Sequence, residues 1–372
     1  MKTKKYKIKI LKELDIKLIL SILSIFIFGI IMLSSATHAR DTGNYSKIIK
    51  QIIAFSLAVI LILITLMINY NTLGKNYKAF YIMSIILLLI IWVPGLGKVQ
   101  EGSRRWIKLG PLYLQTSELV KITFTISYAK IVEKRRGKLN TIKELIPVII
   151  YAMPILVLML IQPDLGGTIV FGCIIFGMLF VAGLNIDIIK KAFIGLLILV
   201  PLIYMLMAPH QKVRIQAFLH PDDLSYPGNY QVVQSMIAIG SGGSKGKGLY
   251  NGTQNNSNFL PVQDSDFIFA VIGEELGMAG MFTIIFLYMM FIIRMINMAR
   301  EAKDFYGTLI IVGVTSMFTY QIIQNIGMTM ALIPVTGVTL PLISYGGSSL
   351  VSSLISLGLV LNVGMRKKKI NF

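Results

Sequence analysis

In LPVQDSDFIFAVIGEELGMAG, residues 260 to 280, Asp264, Asp266, Glu274 and Glu275 stand at the mouth of a strongly apolar run, in a chain with only 17 acidic residues among 372. Asp266 falls at the first turn of the helix this run predicts. There the helix dipole and nearby cations would keep a carboxylate ionised, as a general base must be. Asp264 is expected further out in the loop and solvated. Glu274 and Glu275 lie two turns into the helix, where a structural hydrogen-bonding role is as good a reading as a chemical one.

Cations gather in two segments. GKVQEGSRRWIKLG carries Arg104 and Arg105 beside Trp106, and the long stretch from Pro209 to Ser265 carries Lys212, Arg214, Lys245 and Lys247. An anionic ligand at that surface is the direct reason for them, and acidic lipid headgroups are the plainer one. SGGSKGKGLYNGT lacks the Walker A pattern: Ser241 stands where the first glycine is needed and Gly248 where Ser or Thr is needed. Its glycine-freed amides could nest a phosphate beside the two lysines, or the stretch could be a flexible turn. In TSELVKITFTISYAK, Glu118 and Lys121 share a helix face at i,i+3 and can pair. That pair reads equally as a packing lock and as a functional group. Asp164 in QPDLGG is placed to cap the helix after it. The three histidines show no metal-ligand spacing, and the single cysteine, Cys173, excludes a disulfide framework.

These residues are positioned by a chain that is 55% hydrophobic and 14% charged. Apolar runs able to cross a bilayer core of about 30 Å recur along its whole length. The expected fold is an all-α membrane protein: a polytopic bundle of about ten transmembrane helices with one long extracytoplasmic loop, residues 209–265, in a single integral membrane domain spanning 1–372. The spans predicted are Lys17 to Ala36, Gln51 to Tyr70, Ala79 to Pro94, Ser117 to Glu133, Leu145 to Ile161, Gly166 to Leu184, Ile188 to Met207, Phe267 to Met295, Tyr306 to Ile326 and Thr339 to Met365. SSATHA after the first span has a signal-peptidase look, but the long apolar run and the spans behind it argue against cleavage. Basic residues 1–16, EKRRGK at Glu133 to Lys138, Lys190, Lys191, Arg294 to Lys303 and the tail 366–372 fall on one side when ten spans alternate. That side is expected to be cytoplasmic, with both termini on it. The two cationic segments above are the exceptions that ask for a ligand. Within the long loop, Tyr230 to Gly240 reads as an interfacial helix, with Val233, Met236 and Ile237 on one face.

GSRRWIKLGPLYLQTSELVK, QPDLGGT, YQVVQSMIAIGSGGSKGKGLYNGTQ, FLPVQDSDFIFAVIGEELG and QNIGMTMALIPVTGVTLPLISYGGSS occur in this order between Arg104 and Ser349. Together they resemble the SEDS family (shape, elongation, division and sporulation). GKGLYNGTQ followed closely by FLP is more similar to the elongation branch, RodA, than to the division branch, FtsW. Val262, Asp264 and Ser265 stand where the family often has Glu, His and Thr, and Gln115-Thr116-Ser117-Glu118 replaces Q-P-S-E; the carboxylates at 266 and 118 are kept.

The resemblance implies a bacterial cytoplasmic-membrane peptidoglycan glycosyltransferase. It would polymerise lipid II at the outer face, with a class B penicillin-binding protein and other elongation-complex membrane proteins as partners and no nucleic acid. Asp266 is then the base for the acceptor hydroxyl. Arg104, Arg105, Trp106, Glu118, Lys121, Arg214, Lys245 and Lys247 are candidates to bind substrate, and Lys212 joins the cations that could meet the departing charge. No cofactor is required by this reading. A divalent cation, magnesium or manganese, is left open, with Asp266 or Glu118 as its ligand. The alternatives are a lipid II flippase with a polar path through Glu118, Lys121 and Glu275, the division-type member, and a non-catalytic scaffold for the transpeptidase.

Overall fold

A computed structural model describes residues 13–38, 45–100, 103–109, 112–207, 209–221, 223–226, 228–257 and 259–366. The basic segment 1–12 and the tail from 367 lie outside the described residues. Ten long helices occupy the places of the ten expected spans: α1 (Ile16–His38), α2 (Ser46–Met67), α4 (Tyr77–Leu89, running on to Trp92), α5 (Thr116–Lys134), α6 (Ile142–Ile161), α7 (Leu165–Val181), α8 (Ile186–Leu206), α12 (Ile268–Arg300), α13 (Phe305–Thr329) and α14 (Gly347–Gly364). Six of them have the length and apolarity to cross a membrane outright, and α4 and α7 are shorter apolar helices. This is a multi-pass membrane protein. Short helices α3 (Tyr70–Lys75), α9 (Pro209–Leu219), α10 (Asn229–Gly242) and α11 (Thr253–Asn256) fill the connections.

The helix starts are written locally. Thr141 and Glu144 form a reciprocal capping box at α6, Asp164 accepts from Gly167 N (2.9 Å) at α7, and Asp304 accepts from Gly307 N (2.8 Å) at α13. Chain alternation sorts the helix ends onto two faces. One face carries Arg294 bound to Asp15, Tyr70 donating to Asp304 (2.7 Å) and Lys134 donating to Tyr77 (2.9 Å). The other carries Asp266, the sheet and α9 to α11. Helices α13 and α14 are buried over most of their surface, whereas α2 turns an apolar face of Ile53, Leu57, Ile60 and Ile64 outward. The solvent for that face is hydrocarbon.

Three features depart from expectation. The segment 97–110, read as a basic loop, carries strands β1 (Gly97–Gln100) and β2 (Ser103–Leu109), which with β3 (Leu112–Gln115) make a three-stranded antiparallel sheet, with Trp106 opposite Lys98 on one side and Gln115 on the other. The last helix begins at Gly347, not Thr339. Residues 334–346 are non-helical, and Leu340, Leu342 and Ile343 are nonetheless buried. Pro341 lacks the amide a helix interior needs. Helix α10 exposes Met236 and Ile237 as expected, but its other face, Ser235, Ala238 and Gly242, is fully packed. A methyl added at Gly242 would stand 2.0 Å from Gly273 O, so α10 docks directly on α12.

Candidate active site

The turn Val262 to Phe267 delivers Asp266 to the start of α12. Val262, β-branched, sits at φ +54°, a conformation held only when surroundings impose it. Its carbonyl accepts from Ser265 N (3.2 Å) and Phe267 N (3.4 Å), closing the turn. Three consecutive carbonyls are then gripped from distant chain. Tyr345 N donates to Asp264 O (2.8 Å), Ser344 Oγ to Ser265 O (2.5 Å) and Asn325 Nδ2 to Asp266 O (3.0 Å). Asn325, fully buried on α13, also donates to Val338 O (2.8 Å). Gln51 of α2 spans the non-helical segment, donating to Ser344 O (3.0 Å) and accepting from Gly346 N (3.3 Å). Asp266 itself is half-buried, and a methyl on Gly337 would lie 3.6 Å from its Oδ2.

Asp264 is not solvated. It is 7% exposed, and Lys47 Nζ at the first turn of α2 donates to its Oδ2 at 2.6 Å. A carboxylate one turn outside the helix was expected in water, but the segment folds back under α2, and burial is offset by the ion pair.

Glu274 and Glu275 are both fully buried. Glu274 accepts from Lys247 Nζ (2.7 Å), Thr253 Oγ1 (3.1 Å), Gln254 N (2.8 Å) and Asn255 N (3.2 Å). Glu275 accepts from Ser35 Oγ (2.6 Å), Tyr250 N (3.2 Å) and Asn255 Nδ2 (3.2 Å). Between the two helical halves of α12, Gly277 breaks the helix at φ +64°. The glycine-rich turn clips into this break: Lys247 N donates to Glu274 O (3.0 Å), Gly248 N to Glu275 O (2.9 Å), and Met278 N to Gly243 O (2.9 Å). These amides are occupied by protein carbonyls and do not form a phosphate nest. Lys247 likewise serves Glu274.

Glu118 and Lys121 pair as the spacing required, Nζ to Oε1 at 2.8 Å, and Ser352 Oγ of α14 donates to Glu118 Oε2 at 2.5 Å. All three side chains are buried. Ser348 and Ser349 of the same helix start reach Tyr113 O (2.9 Å) and Thr339 Oγ1 (3.0 Å), so the sheet, α5 and the Asp266 segment share one anchor. Arg105 pairs with Asp164 (3.2 Å), fastening β2 to α7. Asp164 thus caps and pairs at once. Arg104 belongs to β2 by its backbone, and its side chain lies outside the described residues. Trp106 is half-buried on the strand face opposite Arg105. Lys212 donates to Met205 O (2.9 Å), and Lys245 is exposed at the glycine-rich turn. Arg214 is half-buried on α9.

The family described as cell cycle protein, comprising FtsW, RodA and SpoVE, matches residues 16–369. The chain belongs to the SEDS family. This SEDS chain is 35% identical to the probable peptidoglycan glycosyltransferase FtsW of Francisella salina over 98% of its own length and 92% of the relative's. Among solved structures it is similar to a chain of a peptidoglycan synthase complex that coordinates polymerization and crosslinking, with TM-score 0.83, 29% identity and coverage of 95% and 98%. It is also similar to the rod shape determining protein RodA of Thermus thermophilus, with TM-score 0.71, 28% identity and coverage of 96% and 98%.

Within this SEDS chain the donor set decides what a metal could use. Among the described residues no three Asp, Glu, His or Cys side chains converge, and both oxygens of Glu118 are engaged by Lys121 and Ser352. The described residues make no all-protein cage for a divalent cation. Sequence reasoning missed Lys47, Gln51, Asn325 and Ser344, which hold the turn. Its only hint was that buried polar residues in apolar spans are costly and ask for a partner.

Proposed function

We propose that this chain is a peptidoglycan glycosyltransferase that polymerises lipid II at the outer face of the bacterial cytoplasmic membrane, with Asp266 as general base. The observation that carries the reading is the grip on three consecutive carbonyls, which sets one half-buried carboxylate at the edge of the bundle beside a cation-bearing loop. Relatives named as peptidoglycan glycosyltransferases support it.

In the reaction the 4-hydroxyl of the acceptor sugar loses its proton to Asp266 as its oxygen attacks the anomeric carbon of the donor sugar. The new glycosidic bond forms with inversion while the bond from that carbon to the diphosphate oxygen breaks. Undecaprenyl diphosphate leaves with the electron pair. It needs no proton, so a single carboxylate suffices, unlike the paired acids of glycosidases. Lys245 and Arg214, which enter no ion pair among the described residues, are the cations best placed in chemistry to meet the departing charge. Glu118, Lys121 and Trp106 shape the site from the sheet side. The finer reading is the elongation branch, from GKGLYNGTQ and the FLP that follows, with a class B penicillin-binding protein as partner and both termini cytoplasmic. A flippase path along α5 is not favoured. Glu118 closes on Lys121 and Lys130 on Glu133, with buried Phe124 and Ile126 between the pairs.

Purified protein with its class B partner and labelled lipid II should yield glycan chains. Asp266→Asn should lower that yield by roughly 10²- to 10⁴-fold at unchanged melting temperature. Polymerisation by the variant within a few-fold of wild type would refute the assignment.

A further inference from the structure

On the face opposite Asp266, carboxylates are engaged inside the protein while several cations are not. Glu144 accepts from Asn140 N (3.0 Å) and Thr141 N (3.1 Å) at the start of α6, Glu133 pairs with Lys130, and Asp304 accepts from Tyr70 and Gly307 N. Lys78 of α4, Lys138 in the turn from α5 to α6 and Lys143 of α6 are exposed and enter no ion pair among the described residues. Leu139 is buried and pins that turn to the core, leaving Lys138 outward. Lys134, at the end of α5, lies over the Tyr77 ring at 4.2 Å and donates to its hydroxyl, which brings a fourth cation to the residue before Lys78.

A ring pair sets the spacing of these cations. Tyr81 of α4 and Tyr151 of α6 stack with centroids 4.0 Å apart, and the Tyr81 hydroxyl donates to Tyr151 O (2.9 Å). Both helices start where α5 ends, so the two tyrosines mark one level on neighbours that run the same way. Lys78 precedes Tyr81 by three residues, about 4.5 Å of helix, and Lys143 precedes Tyr151 by eight, about 12 Å. The two cations are therefore offset by about 7–8 Å along the bundle, a gap that flexible lysine stems can close on one phosphate.

Deeper along the same helices the exposed residues are apolar. Ile82 and Ile86 follow Lys78 by one and two turns, Ile146 and Ile150 follow Lys143 likewise, and all four are 46–63% exposed. A soluble acidic partner would meet the lysines and not the isoleucines, whereas a lipid with an anionic head meets both. We propose that the α4–α6 surface seats an acidic phospholipid, its phosphate held by Lys78, Lys138 and Lys143 and its acyl chains laid along the isoleucine rows. In the orientation proposed above this lipid belongs to the cytoplasmic leaflet. Its phosphate would offset the repulsion among lysines that three consecutive elements bring to one corner, so binding should stabilise the fold.

The test uses purified full-length protein, stripped of lipid in a neutral detergent, and needs no turnover. Native mass spectrometry with dioleoylphosphatidylglycerol or dioleoylphosphatidylcholine measures how many lipids are retained and how tightly. Wild type should hold one phosphatidylglycerol roughly 10-fold or more tighter than phosphatidylcholine. Lys78→Gln and Lys143→Gln should each weaken phosphatidylglycerol roughly 5-fold and together roughly 25-fold, as expected for one and two interfacial cations, with phosphatidylcholine unchanged. Lys190→Gln with Lys191→Gln removes two exposed cations from the start of α8, outside the seat, and should leave both lipids bound as in wild type. Added phosphatidylglycerol should raise the melting temperature of wild type and not that of Lys78→Gln with Lys143→Gln. Undiminished phosphatidylglycerol binding by that double variant, or an equal loss when Lys190 and Lys191 are replaced, would overturn the proposal and leave a diffuse basic surface. Displacement of the lipid by glycerol phosphate or by a polyglutamate peptide at equal concentration would also overturn it, because acyl chains would then contribute nothing. None of these readings depends on glycan synthesis, so the polymerase assignment stands or falls separately.

Discussion

Removing Lys47 should hurt this protein more than removing Asp264, and removing both should hurt less than removing Lys47. The pair is short, 2.6 Å, but unequal: the Asp264 side chain is 9% exposed and that of Lys47 36%. Lys47→Met leaves a nearly buried carboxylate without its counter-charge. Breaking a fully buried pair from one side costs about 3–5 kcal/mol and an exposed one under about 1. With one partner buried and the other over a third exposed, about 1–3 kcal/mol is expected. Asp264→Asn keeps a hydrogen-bonding partner for Lys47 and buries no charge, so its cost should stay below about 1 kcal/mol. In the double variant no unpaired charge remains, and at least half of the Lys47→Met loss should return. Melting temperatures of the four proteins in one detergent, with lipid II polymerisation per folded molecule, give the cycle. If Lys47→Met melts with wild type, the pair is ornamental. If the double variant is as unstable as Lys47→Met, an uncompensated carboxylate is not the cause.

The clasp between the glycine-rich turn and α12 predicts that Gly246→Ala fails to fold, because its methyl would lie 2.1 Å from Glu275 O at φ +78°. Gly137→Ala, at φ +73° with open space around it, should cost only the left-handed strain of about 1–2 kcal/mol, and folded yields compare the two. Asn325→Leu strips the donors from Asp266 O and Val338 O, so it should lower stability by about 1–3 kcal/mol and reduce kcat with little change in KM; wild-type kcat would show that the grip does not position the base. Single cysteines at Lys138 and Asn251, with Cys173 replaced, should label from the cytoplasmic and outer sides respectively. Labelling of both from one side would overturn the alternation of ten spans.

The spans were legible because runs such as Ile16–His38 and Ile142–Ile161 are long and apolar. Boundaries failed where local chemistry yields to tertiary bonding. Thr339 to Gly346 reads as an extension of α14, yet its groups are bound to Gln51 and Asp264 from elsewhere in the chain. The sheet was within reach, since Gly110-Pro111 signals a turn between two short runs, Trp106 to Leu109 and Leu112 to Leu114, but cationic composition hid it. Glu118 with Lys121, and Asp164 as a cap, were readable because the partners are three residues apart. Lys47 with Asp264, at a separation of 217 residues, was not. Glycine marked the turn at 243–248 correctly as special backbone. Glycine composition cannot say whether freed amides face a phosphate or a broken helix.

A non-helical stretch buried in a membrane bundle leaves amides and carbonyls that lipid cannot satisfy, so it persists only where protein side chains take over. Gln51, Gln324, Asn325 and Ser344 do this for residues 334–346, and two of the four also grip the turn that carries Asp266. Two of the polar residues that make the irregular segment tolerable are therefore also the ones that fix the turn carrying Asp266. A continuous helix over 339–365 would satisfy the same backbone internally, but it would withdraw Tyr345 N and Ser344 Oγ from Asp264 O and Ser265 O. Departure from the ideal membrane helix is thus what lets a carboxylate between loop and span be held in one place.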